Sequence, residues 1–179
     1  MSGSRSRIAL IGYRGTGKST VGRLLAERLD WRFGDTDSLV EDRLRMTIAE
    51  AFDRLGEPAF RQAECEVIAW MTRYSYTVLA TGGGAILDPD NRRLLRDNNL
   101  VVWLQAPPEV LSERIRQDTV NARPALTAAG PIAEIAAVLA TREPLYRETA
   151  HLALDTTGLT PTQIAQVVHE HYRQLRTSN

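Results

Sequence analysis

The stretch Arg7-Ile8-Ala9-Leu10-Ile11-Gly12-Tyr13-Arg14-Gly15-Thr16-Gly17-Lys18-Ser19-Thr20 decides the fold. Its first five residues are a short apolar run suited to a buried strand. Its next eight, Gly12 to Ser19, match the phosphate-loop pattern of a glycine, four free positions, then Gly-Lys-Ser. Val21, Leu24, Leu25 and Leu29 then recur at helical spacing, so strand, loop and helix follow in order. Glycines let backbone N–H groups turn inward around phosphate oxygens, and the helix start adds its positive end. Lys18 supplies a mobile ammonium for the β- and γ-phosphates, and Ser19 an oxygen for Mg2+. A plain turn between strand and helix would account for two glycines but not for the Lys-Ser that follows them.

Outward from this stretch, 179 residues suit one domain with a real core and are too few for two ordinary ones. The balance of 22 basic and 22 acidic residues argues against nonspecific binding to nucleic acid or an anionic membrane. No apolar run approaches the roughly twenty residues of a membrane span. The basic N-terminal segment leads into a strand and not into a signal core. A lone cysteine, Cys65, excludes an internal disulfide and suits a reducing cytoplasm; on its helix it reads as a small apolar residue before a nucleophile. His151, His169 and His171 show no metal-binding spacing.

Alternating apolar runs and amphipathic stretches predict an α/β fold around a parallel sheet. Strands are expected at Ile8–Ile11, Trp31–Phe33, Thr77–Ala80, Val101–Leu104 and His151–Leu154. Helices are expected at Lys18–Leu29, Ser38–Leu44, Ile48–Arg54, Phe60–Tyr74, Pro89–Asp97, Pro108–Arg116, Ile132–Arg142 and Pro161–Leu175. Thr47 with Glu50 forms a capping box, and Thr160-Pro161-Thr162-Gln163 combines a cap, a first-turn proline and a third-position Gln. From Gln117 to Gly130 the pattern dissolves, which inside a compact domain signals a functional loop.

In an open α/β sheet, chemistry sits at the carboxyl ends of the strands. After the second strand come Asp35, Thr36 and Asp37. Two acids two residues apart in an extended segment point the same way, one suited to the water shell of Mg2+ and the other to an acceptor hydroxyl. A turn with an Asp helix cap would be the account without the phosphate loop, but beside that loop a functional role is favoured, and Thr36 reads as spacing. After the third strand come Gly82, Gly83 and Gly84, where close backbone approach to a ligand is the natural motive, although a tight turn uses one or two. Arg61 opens a helix within reach of Glu57 and Glu64, and such a surface pair is worth only about 0.2–0.5 kcal/mol. Arg116 and Arg123 bracket the irregular segment, and Arg142 ends a helix, where the dipole alone favours a cation. On composition alone, each of these arginines reads as structural.

Taken together, the chain resembles the shikimate kinase family along essentially its whole length. The likeness rests on Gly12–Thr20, Asp35-Thr36-Asp37, Phe60-Arg61-Gln62-Ala63-Glu64, Thr81-Gly82-Gly83-Gly84, Arg123-Pro124 and Arg142-Glu143-Pro144-Leu145-Tyr146. The resemblance implies a three-layer αβα P-loop kinase fold with a five-stranded parallel sheet. It implies one domain over residues 1–179, with substrate-binding helices at about 35–62 and a mobile lid at about 114–130. It implies ATP with Mg2+, and transfer of a phosphoryl group to the 3-hydroxyl of shikimate by a cytoplasmic monomer. Carried over by residue, Gly15, Thr16, Gly17, Lys18, Ser19 and Thr20 cradle the phosphates, with Ser19 and Asp35 at the metal. Asp37 meets the attacking hydroxyl, and Arg61 and Arg142 grip the carboxylate beside Gly82 and the backbone N–H of Gly83. Arg123 closes on the transferring phosphoryl group and Arg116 lies along the adenine. Leu159 stands where some family members place a polar or basic residue by the adenine, so contact there falls to the Thr160 backbone and Pro161, and Gln117–Ala122 lacks the glycines often found in the lid. The rivals are a kinase for gluconate or quinate on the same scaffold, and a catalytically silent nucleotide-binding relative.

Overall fold

The structure, a computed structural model, describes residues 6–117 and 130–177. Five strands, β1 (Arg7–Ile11), β2 (Arg32–Asp35), β3 (Thr77–Ala80), β4 (Leu100–Gln105) and β5 (Leu152–Asp155), form one all-parallel sheet in the order β2-β3-β1-β4-β5. The helices are α1 (Lys18–Leu29), α2 (Thr36–Leu44), α3 (Ile48–Arg54), α4 (Glu57–Met71), α5 (Pro89–Asn98), α6 (Pro108–Gln117), α7 (Pro131–Thr149) and α8 (Pro161–Thr177), with a 3-10 turn at Ala85–Leu87.

Strand periodicity builds the layers. On β1, Ile8 and Leu10 enter a core shared with Val21 and Leu25 of α1 and Ile164 and Val168 of α8. Ala9 and Ile11 point to the opposite face, into a second core with Phe60, Val67 and Ile68 of α4 and Tyr146 of α7. The same alternation divides Val102 and Leu104 from Val101 and Trp103 on β4. A strand buried on both faces must read as an unbroken apolar run, which is why β1 and β4 were the clearest in the sequence. The three-layer αβα arrangement and the five-stranded parallel sheet are as expected. None of the described helices is long and apolar enough to cross a membrane.

Three boundaries differ in ways that bear on the site. The second strand runs to Asp35 and α2 starts at once with Thr36, so Asp35 and Asp37 do not share an extended segment. Asp35 is the helix cap, its Oδ1 accepting from the Asp37 backbone N–H at 3.1 Å. The fourth helix begins at Glu57, three residues early, because Pro58 fits a first helical turn. The seventh continues through Pro144 to Thr149, so Arg142 lies inside a helix and the end-of-helix dipole does not explain it. An internal proline costs about 3 kcal/mol. Against that stand Tyr146 and Thr149, both fully buried beyond it, with the Tyr146 ring stacked on Trp103 at 5.5 Å. The expected lid maps to the end of α6 for residues 114–117, while residues 118–129, including Arg123, lie outside the described residues.

Candidate active site

The phosphate loop leaves β1 at Gly12, whose φ of 142° suits glycine and where a Cβ would come 2.4 Å from the Leu104 carbonyl of β4. Gly17, also at positive φ, caps α1, and Lys18 is the first helical residue. The Lys18 ammonium is buried and donates to the carbonyls of Gly12 and Tyr13, each at 2.8 Å. Thr16 is buried and donates its hydroxyl to Tyr13 O at 2.8 Å, closing the loop on itself. Ser19 and Thr20 stand exposed on the first turn. Burial pushes the Lys18 ammonium down to about 8, opposed by the nearby Asp37 and Asp35 carboxylates.

The acid pair meets this loop from β2. Ser19 Oγ donates to Asp35 Oδ2 at 2.5 Å, which puts two hard oxygens at the mouth of the phosphate loop. That donor set fits Mg2+, which takes one or two protein oxygens and completes its shell with phosphate and water. No group of three or more His, Cys, Asp or Glu side chains that could hold a metal ion occurs among the described residues. Thr36 is more than a spacer: fully buried, it accepts the Gly82 N–H on Oγ1 at 2.7 Å. It thereby joins the acid pair to the glycine turn.

Each glycine of that turn lies against side chains of the acceptor side. A Cβ at Gly82 would lie 2.6 Å from Asp37 Oδ1 and 2.7 Å from Glu64 Oε1. At Gly84 it would strike the Arg61 guanidinium at 2.6 Å. At Gly83 its nearest neighbour would be the Arg14 N of the phosphate loop, at an ordinary 3.4 Å, while the Gly83 carbonyl accepts from Arg142 at 3.3 Å and from the Tyr146 hydroxyl at 2.6 Å. None of the three has the positive φ that only glycine favours. Gly82 and Gly84 are small to make room for the protein's own carboxylates and guanidinium, a cause different from the ligand contact read in the sequence.

The arginines separate once placed. Arg61 does pair with Glu57 and Glu64, at 3.2 and 2.8 Å, but Glu64 is buried, so the second pair is no surface ornament. Burial raises the Glu64 carboxyl, Arg61 opposes the rise, and Asp37 adds to it. Sequence spacing showed the pair but not its burial, since Glu64 sits on the apolar face of α4 beside Phe60 and Val67. Arg116 points away from the loop and pairs with Glu113 on an exposed surface. Arg114, unremarked in the sequence, reaches inward, donating to Gly15 O at 3.5 Å and to Thr156 Oγ1 and O at 3.0 Å each. Arg114 and Arg116 stand two residues apart on α6, and the helix phase sends them to different partners.

Other expectations resolve simply. Thr160 and Gln163 cap α8 reciprocally, and Leu159 packs on the core. His151, just before β5, accepts the Val101 N–H of β4 on Nδ1 at 3.0 Å. Burial and Asp88 push the Cys65 thiol up to about 11, which leaves it without nucleophilic character at neutral pH.

A phosphate loop at the carboxyl edge of a parallel sheet, with an acid pair on one side and a cationic wall beyond a glycine turn, defines a small-molecule P-loop kinase. A family profile described as shikimate kinase matches residues 14–173. A shikimate kinase of Oleidesulfovibrio alaskensis is 49% identical over 150 residues, covering 83% of this chain and 87% of the relative. Among solved structures, a shikimate kinase from Acinetobacter baumannii in complex with shikimate superposes with a TM-score of 0.86. It is 38% identical, covering 97% of this chain and 94% of the other. The chain belongs to the shikimate kinase family. A gluconokinase from Sinorhizobium meliloti, at 18% identity and a TM-score of 0.59, shares the fold alone.

Proposed function

We infer that this chain transfers the γ-phosphoryl group of ATP to the 3-hydroxyl of shikimate, releasing shikimate 3-phosphate and ADP. One observation carries the reading: successive glycines of one turn touch Asp37, Arg142 and Arg61, and the same turn packs on the phosphate loop. A hydroxyl and a carboxylate on one small molecule would meet Asp37 and the two guanidiniums while lying beside the phosphates. Planar guanidiniums suit a carboxylate through paired hydrogen bonds.

The roles follow from position. Gly15, Thr16, Gly17, Lys18, Ser19 and Thr20 bind the phosphates, the ammonium of Lys18 exchanging its carbonyl partners for phosphate oxygens. Asp37 orients the attacking hydroxyl and accepts its proton as the new P–O bond forms and the β,γ-bridge breaks. Ser19 and Asp35 would hold Mg2+, which when bound neutralises charge on the β- and γ-oxygens. Family membership extends the set to Arg123, which we assign to the transferring phosphoryl group. For the adenine side we assign Arg116, whose pair with Glu113 is exposed, while the Arg114 guanidinium is held by Thr156. We further propose that residues 1–179 act as one domain and that the protein works as a cytoplasmic monomer, for which light scattering of the purified protein is the check.

The test is a coupled assay of ADP release with shikimate, quinate and gluconate in parallel. Turnover with shikimate at least tenfold above the others in kcat/KM is expected. Preference for gluconate, or ADP release independent of any acceptor, overturns the reading.

A further inference from the structure

We propose that Thr36 and Tyr146 form a two-sided clamp on the Gly82–Gly84 turn, fixing the peptides that flank Gly82–Gly83 and so the place from which the Gly83 N–H meets the acceptor substrate. The proposal rests on the reading of the acceptor site given above and assigns positioning roles to two residues outside it. Three consecutive glycines have soft backbone torsions, and none here is pinned by a Cβ. The turn closes on itself, Ala85 N–H donating to the Gly82 carbonyl at 3.1 Å, while its placement in the site is set from outside. On one side Thr36 Oγ1 accepts the Gly82 N–H at 2.7 Å; on the other the Tyr146 hydroxyl donates to the Gly83 carbonyl at 2.6 Å. These bonds hold the peptides on either side of Gly82–Gly83, so shifting the closed turn that carries the Gly83 N–H means breaking one or the other.

Each anchor is itself immobilised. Thr36 is fully buried at the start of α2, held between Asp35, the cap, and Asp37. The Tyr146 ring is fully buried in α7 and stacked on Trp103 of β4, so its hydroxyl has little freedom. Burial raises the phenol to about 12, so it remains a donor at any working pH. Packing alone requires neither hydroxyl: Val has the shape of Thr and Phe that of Tyr. Placing buried hydroxyls there instead makes sense if the turn's polar groups must point one way.

The test is steady-state kinetics on Thr36→Val, Thr36→Ser, Tyr146→Phe and the Thr36→Val/Tyr146→Phe double variant, with 15N-glycine spectra of each protein without substrate. Losing one partner of a buried hydrogen bond is expected to raise shikimate KM about five- to twentyfold, with ATP KM held within about twofold. Thr36→Ser is expected to restore near-normal values. Because both bonds place the same turn, the double variant is expected to lose less than the product of the singles. The Gly83 amide peak is expected to shift or broaden in Thr36→Val and in Tyr146→Phe, a readout that needs no acceptor. An unmoved Gly83 peak in a folded variant, equal effects on both substrates, or fully multiplicative losses overturn the clamp. Should Thr36→Val not fold, Tyr146→Phe alone decides by the same peak and the same KM split. A wild-type protein inactive on shikimate sinks the acceptor reading, and the glycine spectra then judge the clamp separately.

Discussion

Raising the pH should weaken ATP binding through Lys18, and the protons should be countable. In the protein alone, burial brings the Lys18 ammonium from 10.5 to about 8, against the opposing pull of Asp37 and Asp35. Bound triphosphate brings several negative charges to that nitrogen and restores it to the charged form, so binding takes up the proton Lys18 lacks. With a free-state value near 8, about 0.1 proton should be taken up per ATP at pH 7 and about 0.9 at pH 9. Over the same interval the affinity should fall about tenfold, or about 1.4 kcal/mol. Titration calorimetry in buffers of different ionisation enthalpy measures both quantities, and Lys18→Met removes the titrating group while leaving the loop's glycines. Nearby groups do not obscure the window, since the Tyr13 phenol is raised by burial and Cys65 sits near 11. The stability sign is separate and also testable. A lysine depressed by folding makes the unfolded chain the stronger proton binder between about pH 8 and 10.5, so that contribution to stability rises with pH there. The stability difference between wild type and Lys18→Met should therefore move in favour of wild type from pH 8 to 10. Proton uptake at pH 9 that is absent, or unchanged in Lys18→Met, would refute the reasoning.

Asp37→Asn keeps shape but loses the base; kcat should fall about 10²–10⁴-fold with ATP affinity retained, and a loss under twofold in single-turnover assays would reduce Asp37 to a helix-start residue. Arg142→Ala should raise shikimate KM by about tenfold or more while Tyr146 keeps the Gly83 carbonyl satisfied, so binding titrations should show the loss in shikimate and not in ATP. Arg61→Ala removes the cation that holds down the buried Glu64 carboxyl. A carboxyl raised by folding contributes stability at low pH that is lost as pH rises through its folded value, so the variant's thermal deficit should be larger at pH 7.5 than at pH 5 and should shrink in Arg61→Ala/Glu64→Gln. Equal deficits at both pH values would place Arg61 outside the Glu64 pair.

What the sequence disclosed, and what it hid, divides along one physical line. Local signals were legible because they depend on neighbours in the chain: the Lys18–Leu29 and Ile48–Arg54 helices carry their own loop glycine and capping box. The unbroken apolar runs of β1 and β4 follow from burial on both faces. Residues with distinctive chemistry after strands were legible too, since the sheet's carboxyl edge gathers them whatever the details between. Hidden were the partners made only by the fold. Thr36 is unremarkable beside two aspartates until Gly82, 46 residues on, is found donating to it at 2.7 Å. Arg114 and Arg116 are equivalent in composition, and one helical phase sends the first to the phosphate loop and the second to solvent. The end of α7 was hidden for an energetic reason: Pro144 reads as a stop, but what overrides it is the burial of Tyr146 against Trp103, which no local window contains. These concealed residues share a feature. Thr36, Glu64, Tyr146 and Thr156 are all buried, and all hold another part of the site in place. The sequence thus discloses the groups that would touch ligands, which must be chemically unusual, more readily than the groups that aim them, which need only be in the right place. That difference explains why substitutions at ordinary-looking Thr and Tyr positions should separate shikimate binding from ATP binding as sharply as changes to the arginines.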